Sequence, residues 1–192
     1  MRNAIGRLEV ITGPMFAGKS EELFRRLRRA TIARETVLVV RPDTDVRSRP
    51  LTAKSHDGRE IAAEVIAQGE PAALGRLAGE CHPQVVGIDE VQFLDEGFVP
   101  AILGLVSGGI RVIAAGLDMD FRGGAFRLTA DLMALADEVT KLSAICVRCG
   151  RPGTMTQRMS GDRPASRETM RILVGGEERY EARCRFCHQV LP

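Results

Sequence analysis

Gly13-Pro14-Met15-Phe16-Ala17-Gly18-Lys19-Ser20 sets four residues between two glycines and closes with a lysine and a hydroxyl. This spacing suits phosphate chemistry. Glycines let the backbone curl so that successive N–H groups face phosphate oxygens, and the start of a helix adds partial positive charge. Lys19 can reach the β- and γ-phosphates of ATP, and the Ser20 hydroxyl can ligate Mg²⁺. A second constellation is Asp89-Glu90, which ends the apolar run "VVGI". Asp89 has the placement of a Mg²⁺-holding acid. Glu90 beside it can orient or deprotonate a nucleophile. The residues leave open whether that nucleophile is water or a substrate hydroxyl.

The third constellation is Cys146-x-x-Cys149 with Cys184-x-x-Cys187. Two such pairs suit a tetrahedral Cys₄ zinc site, structural because it leaves no open coordination position. His188 could replace Cys187 as the fourth ligand. The remaining cysteine, Cys81, has no such partner in the pattern. The pairs are separated by 34 residues, 150–183, more than the roughly 15–20 of a compact ribbon. Zinc would clamp both ends of a glycine-containing loop that carries the lone tyrosine, Tyr180. Such a loop could close over a small substrate and exclude water.

These groups need a scaffold. "RLEVIT" (7–12) predicts a strand running into the phosphate loop, and 19–33 a helix with Leu23, Leu27 and Ala30 on one face. "TVLVVR" (36–41), "QVVGIDE" (84–90) and "IRVIAAG" (110–116) predict buried parallel strands. Helices are expected at 70–80, 95–106 and 129–137, a last strand over 138–145, and a long polar loop over 42–60. Strands alternating with helices give an α/β fold with a mostly parallel sheet. Composition changes near Ser143, which sets an expected boundary: a P-loop ATP-binding domain over 1–142 and a zinc-binding domain over 143–192.

The 192 residues carry a formal net charge of +2, so no global field points to nucleic acid. Arg25, Arg26, Arg28 and Arg29 lie largely outside the apolar stripe of their helix and read as a mostly solvated face. With no Trp and one Tyr, a stacking platform for single strands is not expected. No apolar run approaches the roughly 20 residues that span a bilayer. The N-terminus lacks the pattern of a signal peptide, and cysteine pairs at metal spacing suit a reducing compartment; a cytoplasmic protein with no membrane partner is expected. On residues alone three readings stand: a kinase, a zinc-ribbon ATPase acting on nucleic acid, and a nucleotide-binding scaffold without turnover.

"GPMFAGKS", "GIDEVQF", "GLDMDFRGGAF", "MTQR" and "GGEERYEARCRFCH" occur in this order with the two cysteine pairs. Together they resemble the zinc-containing thymidine kinases of the cellular and bacterial type (type II) from about Leu8 to His188. The resemblance implies a RecA-like P-loop domain with a zinc-anchored lasso, and transfer of the ATP γ-phosphate to the 5′-hydroxyl of thymidine. It implies ATP contacts along Gly13, Pro14, Met15, Phe16, Ala17, Gly18, Lys19 and Ser20, with Ser20 and Asp89 at Mg²⁺ and Glu90 as general base. Met15, Phe93, Leu117 and Phe121 would line the base pocket. Thr156 and the backbone at Leu173, Val174 and Gly175 would meet the pyrimidine edge, and Tyr180 would pack on the nucleoside. Asp57 would sit near the phosphates, and Arg158 is a further phosphate candidate. Met15 would face the acceptor while Phe16 packs under the loop. A homotetramer and feedback inhibition by dTTP are also implied, as is acceptance of deoxyuridine, since one methyl group discriminates by only about 1–3 kcal/mol.

Overall fold

The structure, a computed structural model, describes residues 6–43, 53–54, 60–61, 63–170 and 179–192. The first half runs β1 (Arg7–Gly13), α1 (Lys19–Ile32), β2 (Val37–Pro42), β3 (Ala53–Lys54), β4 (Glu60–Ile61), β5 (Ala63–Ile66), α2 (Pro71–Cys81) and β6 (Val85–Ile88). A 3₁₀ turn over Val91–Phe93 precedes α3 (Phe98–Ser107), β7 (Arg111–Leu117), α4 (Arg127–Leu135) and β8 (Glu138–Lys141). The chain then changes character: β9 (Ala144–Ile145), β10 (Pro152–Gly153), β11 (Met155–Ser160), β12 (Arg163–Pro164) and β13 (Arg179–Arg183) pair antiparallel.

Six strands form one sheet in the order β5-β2-β6-β7-β1-β8, every neighbouring pair parallel. Strand alternation sorts side chains to two faces. Leu8, Val10, Val86, Ile88, Val112 and Ala114 face one core, packed with Leu74 of α2, Phe98 and Ile102 of α3, and Leu128 and Leu132 of α4. Ile11, Val39, Val85, Ile113 and Ala115 face the other, covered by Leu23, Leu27 and Ala30 of α1. This is the three-layer α/β fold that the sequence pattern predicts.

Local differences have physical causes. The strand expected over 138–145 is two strands, because the chain turns at Leu142-Ser143 out of the parallel sheet into antiparallel pairing. Edge strand β5 carries no sequence signal: two of its four residues are exposed, so it lacks a buried run. The interval between the cysteine pairs holds real sheet, with β11 paired antiparallel to both β12 and β13. Arg26 is not on a solvated face. It is buried and donates to Glu9, Glu22, Glu138 and Thr140. Burial pushes the Glu9 carboxyl up, but the Arg111 and Arg26 guanidiniums bonded to it outweigh that and hold it below the usual carboxylate range.

Leu142 joins the two parts tightly. Its N–H donates to the Thr12 carbonyl at 2.7 Å. Its carbonyl oxygen lies 2.4 Å from where a Cβ on Gly13 would stand.

Candidate active site

β1 and β6, which flank β7, deliver their functional residues to the carboxyl end of the central sheet, where open α/β sheets bind ligands. Gly13 leaves β1 at φ 142° and Gly18 enters α1 at φ 78°, both in the left-handed range. Between them the loop from Pro14 to Ala17 wraps the N-terminus of α1. Lys19 Nζ donates to the Pro14 carbonyl at 2.8 Å, inside its own loop. Burial pulls the Lys19 ammonium below its usual range, against the opposing pull of Glu90, Asp89 and Asp118.

Phe16 does not pack under the loop. It is 65% exposed and left-handed at φ 65°. The turn demands positive φ at this position, and the side chain is thereby thrown outward. Met15 is half-buried, and its backbone N–H donates to Thr156 Oγ1 of β11 at 3.0 Å.

Ser20 Oγ donates to Asp89 Oδ1 at 3.2 Å, as does the Glu90 N–H at 3.0 Å. Asp89 Oδ2 is buried with no hydrogen-bond partner. Burial first, and Glu90 second, push the Asp89 carboxyl up to about 6. An orphaned carboxylate oxygen beside a serine hydroxyl at a phosphate loop fits a divalent cation. Glu90 sits at φ 52°, which turns the chain sharply after β6. Its Oε2 accepts a short hydrogen bond from Gln92 Nε2, and Gln92 Oε1 accepts from the Leu117 N–H at 3.0 Å. The second bond fixes the amide orientation: the oxygen faces a donor, so the nitrogen faces Glu90.

Phe93, in the 3₁₀ turn, and Leu117, at the end of β7, are half-buried; Phe121 is buried. The Arg122 and Arg158 guanidiniums lie 5.3 Å and 5.0 Å from the Phe121 ring centre. Arg158 is not available to phosphate as the sequence suggested. It is fully buried and donates to the Met170 carbonyl, while Arg122 donates to that of Thr169. Tyr180 on β13 is half-buried and pairs in register with Arg158 on β11. Asp57, Leu173, Val174 and Gly175 lie outside the described residues.

The ligand atoms of Cys146, Cys149, Cys184 and Cys187 all lie within 4.8 Å of one another, with Cys149 Sγ 3.6 Å from Cys184 Sγ. Zinc–sulfur bonds of about 2.3 Å set tetrahedral sulfurs about 3.8 Å apart, so the cluster matches that ion. Burial pushes the Cys146 thiol up, yet backbone N–H groups of Cys184, Arg148 and Cys149 overcome this and bring it down to about 6. Burial and then the crowding of the other sulfurs push Cys187 up to about 12. His188 is not in the cluster; its Nε2 lies 2.8 Å from the Phe121 carbonyl oxygen.

Sequence reasoning missed Gln92, Asp118, Arg122 and the role of His188. Asp118 is 6% exposed and pairs with Lys141 Nζ at 2.8 Å beside the phosphate loop. Its signal was its place directly after the buried run of β7, the same signal that flagged Asp89.

The family model described as "Thymidine kinase" matches residues 6–188. A thymidine kinase of Deinococcus deserti is 48% identical, with 96% of this chain and 95% of the relative covered. One of Coprothermobacter proteolyticus is 49% identical, covering 96% and 91%. With the phosphate loop and the paired acids on one parallel sheet and the four-cysteine cluster on the antiparallel strands beyond it, the chain belongs to the thymidine kinase family.

Proposed function

We propose that the protein is an ATP:thymidine 5′-phosphotransferase of pyrimidine salvage, giving dTMP and ADP. The observation that carries this reading is the hydrogen bond from the Met15 N–H to Thr156 Oγ1. It ties the phosphate loop to a strand between the two cysteine pairs, so the donor phosphates and the acceptor share one wall.

Lys19 exchanges the Pro14 carbonyl for phosphate oxygens when ATP enters, and the loop N–H groups take the rest. Ser20 and Asp89 would hold Mg²⁺, which would supply charge neutralisation at the phosphates. Glu90, oriented by Gln92, accepts the proton of the thymidine 5′-hydroxyl. The freed oxygen attacks the γ-phosphorus, the bond to the bridging oxygen breaks, and its electron pair leaves with ADP. Met15, Phe93, Leu117 and Phe121 wall the thymine, with Thr156, Tyr180 and the backbone of Leu173, Val174 and Gly175 completing the pocket. The four cysteines would hold zinc, which would anchor the lasso. Since the 5-methyl group contributes only about 1–3 kcal/mol, deoxyuridine is a second substrate. The two-domain division at 142/143, inhibition by dTTP, a homotetramer and a cytoplasmic location belong to the same reading. No described helix is long and apolar enough to cross a membrane.

The test is incubation with Mg-ATP and each of thymidine, deoxyuridine, deoxycytidine, deoxyadenosine and deoxyguanosine, with separation of the products. One ADP per dTMP is expected. ADP formed without any nucleoside monophosphate would mean that Glu90 activates water, and the reading would fail.

A further inference from the structure

Cys187 and His188 both donate their N–H groups to the Cys184 carbonyl, each at 3.0 Å. This turn brings the His188 ring onto the loop after β7, with Nε2 2.8 Å from the Phe121 carbonyl oxygen. A carbonyl only accepts, so Nε2 carries the proton and donates. The loop makes its own internal bonds elsewhere: Asp120 N–H to the Gly124 carbonyl, Gly123 N–H to the Asp120 carbonyl, and Asp120 Oδ1 accepting from Arg122 and Gly124. Among the described residues, the Phe121 carbonyl has no other donor. The Phe121 ring lies against Arg122 and Arg158, whose guanidiniums hold the Thr169 and Met170 carbonyls. One residue thus connects the cysteine knuckle, the loop after β7 and the chain leading into the lasso.

We propose that His188 is a positioning residue through which the cysteine knuckle holds the Phe121 wall of the nucleoside pocket. The inference rests on the reading of Phe121 as part of that pocket. The cysteine knuckle thereby sets thymidine affinity by a defined hydrogen bond, in addition to clamping a loop. The neutral imidazole with hydrogen on Nε2 and the imidazolium both supply this donor, so the tether does not depend on ring charge.

The test uses full-length, zinc-loaded protein with His188→Phe, which keeps a ring and removes the donor, and His188→Gln, whose amide nitrogen stands the same number of bonds from Cβ as Nε2. Amide exchange over 119–124, zinc per chain, kcat and both KM values are measured. For His188→Phe we expect faster exchange in that loop and a thymidine KM raised about three- to tenfold, the range of one hydrogen bond. Its kcat, ATP KM and zinc content should be unchanged, and His188→Gln should behave as the parent. Three results would overturn the proposal: parental exchange and thymidine KM in His188→Phe; equal rises in both KM values; or His188→Gln failing like His188→Phe. If His188→Phe does not fold, His188→Leu replaces it; zinc loss from both donor-free variants would place His188 in the metal site and overturn the tether. Should the parent not bind thymidine at all, the pocket reading fails, while loop exchange still decides the tether by itself.

Discussion

Gln92→Met retains the length of a side chain that is 6% exposed and removes both ends of its amide. Two losses follow, and they register in different measurements. The Leu117 N–H, 3.0 Å from Gln92 Oε1, loses its acceptor. An unsatisfied buried donor costs about 1–3 kcal/mol, which should lower the denaturant midpoint. Glu90 loses the donor on its Oε2. A hydrogen bond to a charged group contributes about 1.5–3 kcal/mol. If that bond holds Glu90 toward the 5′-hydroxyl, its loss slows turnover roughly 10- to 150-fold and leaves both KM values near the parent. The assay is ADP release at saturating ATP and thymidine, corrected for the folded fraction from a parallel melt. The decisive comparison is a double-mutant cycle. In a Glu90→Gln background the Gln92 change should lower kcat by less than about twofold, because residues acting as a unit are non-additive. A lowered midpoint with kcat unchanged would make Gln92 structural only. The same drop in both backgrounds would refute the claim that it acts through Glu90.

Three further outcomes are expected. Cys149→Ser should lose zinc affinity by more than the roughly 10- to 100-fold of an outer-shell change and weaken thymidine binding far more than ATP binding; unchanged metal content and thymidine affinity would count against the anchored lasso. Gly13→Ala must fit a Cβ 2.4 Å from the Leu142 carbonyl at φ 142°, a strain of about 3 kcal/mol or more, and a melting temperature and ATP affinity equal to the parent's would contradict the loop geometry. The Asp89 carboxyl at about 6 is raised from its ordinary value, so the native state holds that proton more tightly than the unfolded chain, and protonation favours the apo fold as pH falls through about 6. Mg²⁺ competes for the same oxygen. The extra thermal shift that Mg²⁺ adds to a non-hydrolysable ATP analogue should therefore shrink between pH 7.5 and pH 5, and a constant increment would exclude Asp89 as its ligand.

The parts legible in the sequence are those written in contiguous residues. β2, β6 and β7 announce themselves as buried runs, the phosphate loop as a spacing, and the four-cysteine cluster as two short pairs. What escaped depends on partners distant along the chain. Gln92 is an ordinary polar residue until Leu117, 25 positions on, supplies the donor that orients it. Arg158 reads as a free cation until β11 buries it against Phe121. Arg26 looks like one of a solvated set until β1 and β8 bring Glu9 and Glu138 beneath it. Phe16 differs for another reason: its apolar side chain argues for burial, but the turn dictates a positive φ, and backbone geometry prevails over hydrophobicity.

The close approach of Leu142 to Gly13 bears on how such a protein can diverge. The compositional boundary at Ser143 looks like a seam where a metal-binding unit could be exchanged, lengthened or rehung on another sheet. Mechanically it is a keystone. One added residue there would turn the Leu142 carbonyl from its place over Gly13 and release the bond to Thr12. The floor of the phosphate loop would be lost together with the attitude of the zinc unit. Length is free to drift instead at the exposed hairpin turn Gly161-Asp162, so the zinc unit should diversify at its tip and not be traded whole at its base.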